Sequence, residues 1–176
     1  MNALVDVGTL ERGSYLGGGD IAALMGVNPW RTPLDVYLQK TGQVPASPPD
    51  PEREKRFRRG KLMEPVALEM MRQDFGIEVV ATNHRYRDQE YPFLAAEIDF
   101  EWHRGDGVIM NGEIKTVHPF AQGKWGEAES EEIPIEYAAQ SMFGLMITGR
   151  DVCQYGVLFG SDNLQLYHVL RDNETI

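Results

Sequence analysis

Between residues 52 and 75 apolar side chains return at helical intervals. At 100° per residue Leu62, Val66, Met70, Met63, Ala67, Met71, Phe75 and Leu68 share one broad face. Glu64 falls inside that face, between Met71 and Phe75, where a carboxylate is costly unless something positive meets it. After Gly76 the pattern turns strand-like over 77–81, 91–102 with one break, and 108–117, the last two joined by the turn at 103–107. Asp106 belongs to that turn. Pro134 opens a helix that runs to Thr148 and stops at Gly149, and strands 152–159 and 164–170 face each other across the turn at 160–163. Upstream, Asp20 reads as the N-cap of an apolar run, 21–25, that ends at Gly26. Thr32, Pro33 and Gly42 bracket a second helix, and four prolines make 44–51 a loop inside the domain. Helices, a meander, a crossing helix and two further strands predict a mixed α/β (α+β) fold, a mainly antiparallel sheet flanked by helices.

The length, 176 residues, suits a single domain, 1–176, with an N-terminal helical part (1–60) and a core (61–176). The one cysteine, Cys153, lies in an apolar run and reads as a small core residue, which suits a reducing compartment. The first fifteen residues lack the basic start and apolar centre of a signal peptide, and no apolar stretch reaches the roughly 20 residues of a membrane span. The expectation is a soluble, cytoplasmic protein without a membrane partner. A net charge of −10 argues against general nucleic-acid wrapping. Six of the 17 basic residues nevertheless crowd into nine positions as Arg53, Lys55, Arg56, Arg58, Arg59 and Lys61, a local stripe that serves either as a solvated helix face or as a phosphate contact.

Strand alternation puts Glu113 and Lys115 on one face and Ile114 and Thr116 on the other. A hairpin around 104–107 brings Asp99, fourteen residues earlier, alongside Glu113. Two carboxylates and an ammonium suit phosphodiester hydrolysis, since Mg²⁺ takes one or two carboxylates and activates a bound water. The bland reading is a cross-strand salt bridge on a solvated face, and an isolated E-x-K does not decide between them.

The order of several features does. Gly17-Gly18-Gly19-Asp20-Ile21-Ala22-Ala23, the run from Gly26 through Asn28-Pro29-Trp30-Arg31 to Pro33, Arg59-Gly60-Lys61-Leu62-Met63-Glu64-Pro65, Asp99, Glu113-Ile114-Lys115, and residues 134–140 ending in Gln140 follow one another along most of the chain. In that order they resemble the YqaJ-type viral recombinase and phage lambda exonuclease family, within the PD-(D/E)XK superfamily. The resemblance implies a restriction-endonuclease-like core. It implies catalytic residues Glu64, Asp99, Glu113, Lys115 and Gln140, and Mg²⁺, replaceable by Mn²⁺, on Asp99, Glu113 and the carbonyl of Ile114. It implies DNA phosphate contacts from Arg12, Gly19 and Arg31. The expected activity is a DNA exonuclease acting from duplex ends, 5′ to 3′, with a single-strand annealing partner and a trimeric ring, in a phage or prophage within a bacterial host cell. Two positions depart from the pattern. Asp99 lacks the usual preceding proline and following glycine, and Gly19 stands where relatives carry serine near a terminal phosphate. The alternatives are an endonuclease on the same fold and an inactive DNA- or protein-binding module. A CRISPR-associated nuclease is disfavoured because its cluster needs four cysteines.

Overall fold

The computed structural model describes residues 6–44 and 50–176; the middle of the proline-rich stretch lies outside them. Among these residues four α-helices, α1 (Gly18–Leu24), α2 (Pro33–Lys40), α3 (Pro51–Phe75) and α4 (Ile135–Thr148), accompany five strands. The strands are β1 (Glu78–Arg87), β2 (Ala95–His103), β3 (Ile109–Val117), β4 (Val152–Phe159) and β5 (Asn163–Leu170). They form one sheet in the order β1-β2-β3-β4-β5, antiparallel except for β3 and β4. That parallel pair requires a crossover, and α4 supplies it. The fold is therefore the expected mixed α/β arrangement. Among the described residues no helix is long and apolar enough to cross a membrane.

The two sheet faces are buried separately. Ala67, Leu68 and Met71 of α3 pack on Phe100, Ile114, Leu158 and Leu166. On the opposite face Leu145 of α4 joins Trp125, Cys153, Tyr155, Val157, Phe159, Tyr167 and Val169, and Phe143 and Ile147 meet Tyr86, Ala96 and Ile98. Cys153 is a buried core residue as expected. The apolar face of α3 is narrower than its periodicity implies, because Leu62 (68% exposed), Val66 and Phe75 stay in solvent. A helix on a sheet buries only the strip that touches strands, here the one through Ala67, Leu68 and Met71.

Three boundaries differ from the sequence reading. The strand read over 77–81 continues to Arg87, since its polar positions pair with β2 and the Arg85 N–H donates to Asp6. Residues 91–94, read as strand, form a turn in which the Leu94 N–H donates to the Tyr91 carbonyl, and β2 starts at Ala95. Asp20 is not an N-cap. Gly17 holds that place, and Asp20, one turn inside α1, accepts the Gly17 N–H at 3.0 Å.

Candidate active site

The site lies where the β2–β3 ladder stops. Pairing runs from His103–Ile109 to Phe100–Gly112 and no further. Beyond it the Asp99 carboxylate takes the Ile114 N–H at 2.9 Å, replacing the missing ladder bond with a side chain. β2 also changes face here. Ala96 and Ile98 pack against α4, whereas Phe100 and Trp102 pack on the α3 side, so strict alternation is broken around Asp99. Asn83, between the β1 partners of Ile98 and Phe100, has a positive φ of 57°. The irregularity spans both strands.

On β3 Glu113 and Lys115 share a face as alternation requires, with Lys115 Nζ 2.8 Å from Glu113 Oε2. Gln140 of α4 donates to both Glu113 oxygens at 3.2 Å. It reaches them because Gly18 has no side chain: a Cβ there would stand 2.6 Å from Gln140 Cγ. Tyr137, one turn earlier on α4, lies with its ring 5.3 Å from Lys115 Nζ and stacks on Trp125.

The electrostatics follow from crowding. Glu113, 4% exposed, is pushed up to about 8, first by burial and then by the negative charge of Asp99, against the pull of Lys115. Burial works against a charged Lys115, but Glu113 and Asp99 outweigh it and hold the ammonium above its ordinary range. Glu64 reaches the edge of this cluster from α3. Its direct partner is Lys61 at 3.0 Å, and burial, with the Asp99 charge adding to it, raises its carboxyl. Lys61 in turn donates to Asn83. Glu64, Asp99, Glu113, Lys115 and Gln140 are thus brought together. Among the described residues no group of three acidic, histidine or cysteine side chains closes around one ion position.

A cavity of about 150 Å³ opens beside Glu113 and Gln140 and is lined by Arg12, Gly17, Gly18, Gly19 and Ser141 among others. Arg12 and Gly19 therefore share the site's cavity, and Arg31 does not line it. Arg31 is held behind, because Asp20, 1% exposed, gathers three cations: Arg12 at 2.5 Å, Arg31 at 2.9 Å and Lys40 at 3.2 Å. Burial opposes the Asp20 charge, but the Gly17 N–H and Arg12 keep its carboxyl below the ordinary range. The sequence assigns no role to Lys40 or to Tyr137, because spacing carries no signal for either contact.

The sequence profile of the YqaJ-like viral recombinase domain matches residues 10–151, a span that holds every residue of this cluster. The chain belongs to the YqaJ-like viral recombinase family. It is 31% identical over 169 residues to the uncharacterised protein YqaJ of Bacillus subtilis (strain 168), a match covering 95% of this chain and 50% of that protein. The chain spans about half the length of that curated relative. Among solved structures it is similar to the alkaline exonuclease LHK-Exo of Laribacter hongkongensis, with a TM-score of 0.62, 16% identity, and coverage of 93% of this chain and 81% of that one. The structure of LHK-Exo in complex with dAMP matches with a TM-score of 0.61, 16% identity, and coverage of 92% and 80%. These likenesses establish the shared fold of this YqaJ-family chain.

Proposed function

We propose that this protein is a metal-dependent DNA exonuclease that hydrolyses duplex DNA from an end, 5′ to 3′, in phage-type recombination beside a single-strand annealing protein. The observation that carries the reading is the convergence of Asp99, Glu113 and Lys115 where the β2–β3 ladder ends, in a chain of the YqaJ-like family. The donors are hard oxygens: two carboxylates and the Ile114 carbonyl beside them. They suit Mg²⁺, with Mn²⁺ as substitute. A buried Glu113 raised by a neighbouring carboxylate also fits, since a cation would relieve that repulsion. When bound, the ion supplies an acidified water and stabilises charge on the phosphate.

The protein's own groups divide the remaining work. Lys115, held charged, orients the attacking water or neutralises charge developing on the phosphate. Gln140 fixes the orientation of Glu113 through both oxygens, and Glu64 completes the acidic rim beside Lys61. Arg12, about half exposed, keeps guanidinium donors beyond those spent on Asp20 and on the Tyr15 carbonyl, and with Gly19 it faces a strand phosphate. Arg31 adds positive charge from behind. Such contacts position a strand without reading its sequence. A trimeric ring would let a subunit of net charge −10 keep its substrate by enclosure rather than by affinity. A phage or prophage origin and the cytoplasm of a bacterial host belong to the same reading.

The test is incubation of end-labelled linear duplex and of closed circles with protein and Mg²⁺. Degradation of linear duplex with circles intact is the expected result. Nicked circles point to an endonuclease, and intact DNA under Mg²⁺ and Mn²⁺ points to a binding module.

A further inference from the structure

Beyond the hydrolytic cluster, we propose that Phe120 is a stacking platform for a nucleobase of single-stranded DNA next to the cleavage site; the location of that site rests on the exonuclease reading. Phe120 is 96% exposed, five residues beyond Lys115, in the 3-10 turn Pro119–Lys124 that follows β3. An aromatic side chain left in water forgoes the free energy of its burial, so a rigid segment that displays one invites a partner.

This segment is tied down at both ends. His118 caps the turn by accepting the Phe120 N–H, and its ring lies 5.1 Å from the Phe120 ring. Pro119 abuts Gly160, whose N–H donates to the Val117 carbonyl. At the other end Trp125 is buried and stacks on Tyr137, the residue beneath Lys115. The turn that carries Phe120 is therefore anchored, through Trp125 and Tyr137, beside Lys115.

The surroundings favour a nucleic acid over a protein partner. From Thr116 to Trp125 the sequence holds no carboxylate; His118 meets the ring, and Lys124 ends the same turn. α3 meets β3 where Gly60 faces Thr116, and the exposed turns of the helix before Gly60 carry Arg53, Arg56 and Arg59. Phosphate-binding cations beside a free aromatic ring form the combination that holds single strands without sequence preference. Arg53 already packs over the exposed ring of Phe57. Among the described residues the ring contact of Phe120 is with His118, and 96% exposure leaves most of its surface for a base.

The experiment measures binding of a fluorescein-labelled oligo(dT), and of flush duplex, in EDTA by wild type, Phe120→Ala and Phe120→Trp, with melting temperatures as a folding control. Phe120→Ala is expected to weaken oligo(dT) binding on the order of tenfold with an unchanged salt slope, because no phosphate contact is lost. Phe120→Trp is expected to restore affinity and to show tryptophan quenching by oligo(dT) beyond that of wild type. Equal affinity of wild type and Phe120→Ala for oligo(dT), no oligo(dT) binding by wild type, or an altered oligomeric state with unaltered binding overturns the proposal. Linear-duplex cleavage with Mg²⁺, run in parallel, separates the two readings. Stacking with no cleavage removes the exonuclease, and cleavage with no stacking removes the platform.

Discussion

The carboxylate of Asp20 is buried among Arg12, Arg31 and Lys40, so deleting it leaves three cations facing one another. Breaking a buried pair from one side costs about 3–5 kcal/mol, and Asp20→Ala should fall near that range in chemical denaturation. The folded carboxyl lies below its ordinary 3.8, so its contribution is complete above that value and is lost as pH falls through the folded one. Asp20→Asn should accordingly flatten the acid side of the stability profile; a profile parallel to wild type below pH 4 would remove Asp20 from this role. At the proposed reacting centre the balance runs the other way. Asp99→Asn and Glu113→Gln should lower cleavage on the order of a thousandfold while leaving the fold intact. In chelator either variant should melt at or above the wild-type temperature, because the two carboxylates repel each other. Near-wild-type cleavage by either variant would misplace the site.

At the level of elements the contact between α1 and α4 controls Gln140. A Cβ at Gly18 would meet Gln140 Cγ at 2.6 Å and the Gln140 carbonyl oxygen at 3.2 Å, so a side-chain movement alone does not relieve it. Gly18→Ala should cost about 1–3 kcal/mol and swing Gln140 away from Glu113. The neighbouring Gly19 has nothing within 4 Å of its Cβ position, so Gly19→Ser should keep the wild-type melting temperature. Its hydroxyl should raise the ratio of digestion rates on 5′-phosphorylated and 5′-hydroxyl ends. An unchanged ratio in the folded variant would show that this turn does not touch the terminal phosphate. The negative charge of Asp20 nearby, which would oppose an anion, is already neutralised by its three cations. The extents of α4, β4 and β5 were legible from the 3.6- and 2-residue periods and the closing glycines, because such periods are local properties of the backbone. The second half of β1 was not, since its polar positions are stabilised by β2 and by Asp6, which no local pattern records.

For the molecule as a whole, a cation bound at Glu113, as the proposed function requires, would make metal and pH one variable. A carboxyl lifted from 4.5 to about 8 contributes stability that is fully present below 4.5 and lost as pH rises through 8. The metal-free protein should therefore lose stability across that window. Mg²⁺, which competes with the Glu113 proton, should raise the melting temperature more at pH 8.5 than at pH 6. Thermal denaturation with Mg²⁺ or chelator at both pH values measures this. A shift independent of pH, or one retained in Glu113→Gln, would place the cation elsewhere.

The sequence by itself determined most of the elements, the shared face of Glu113 and Lys115, and the order of the family's motifs, because each depends on a repeat or spacing within one segment. Only the tertiary structure decided that the ladder ends at Phe100 and Gly112, that Asp99 turns its carboxylate to the Ile114 N–H, and that Gln140 passes Gly18 to reach Glu113. It also decided that Asp20 gathers cations instead of capping a helix. Those contacts join residues from different segments. Their energies depend on register, helix crossing and burial, which exist only once the sheet has closed on α3 and α4.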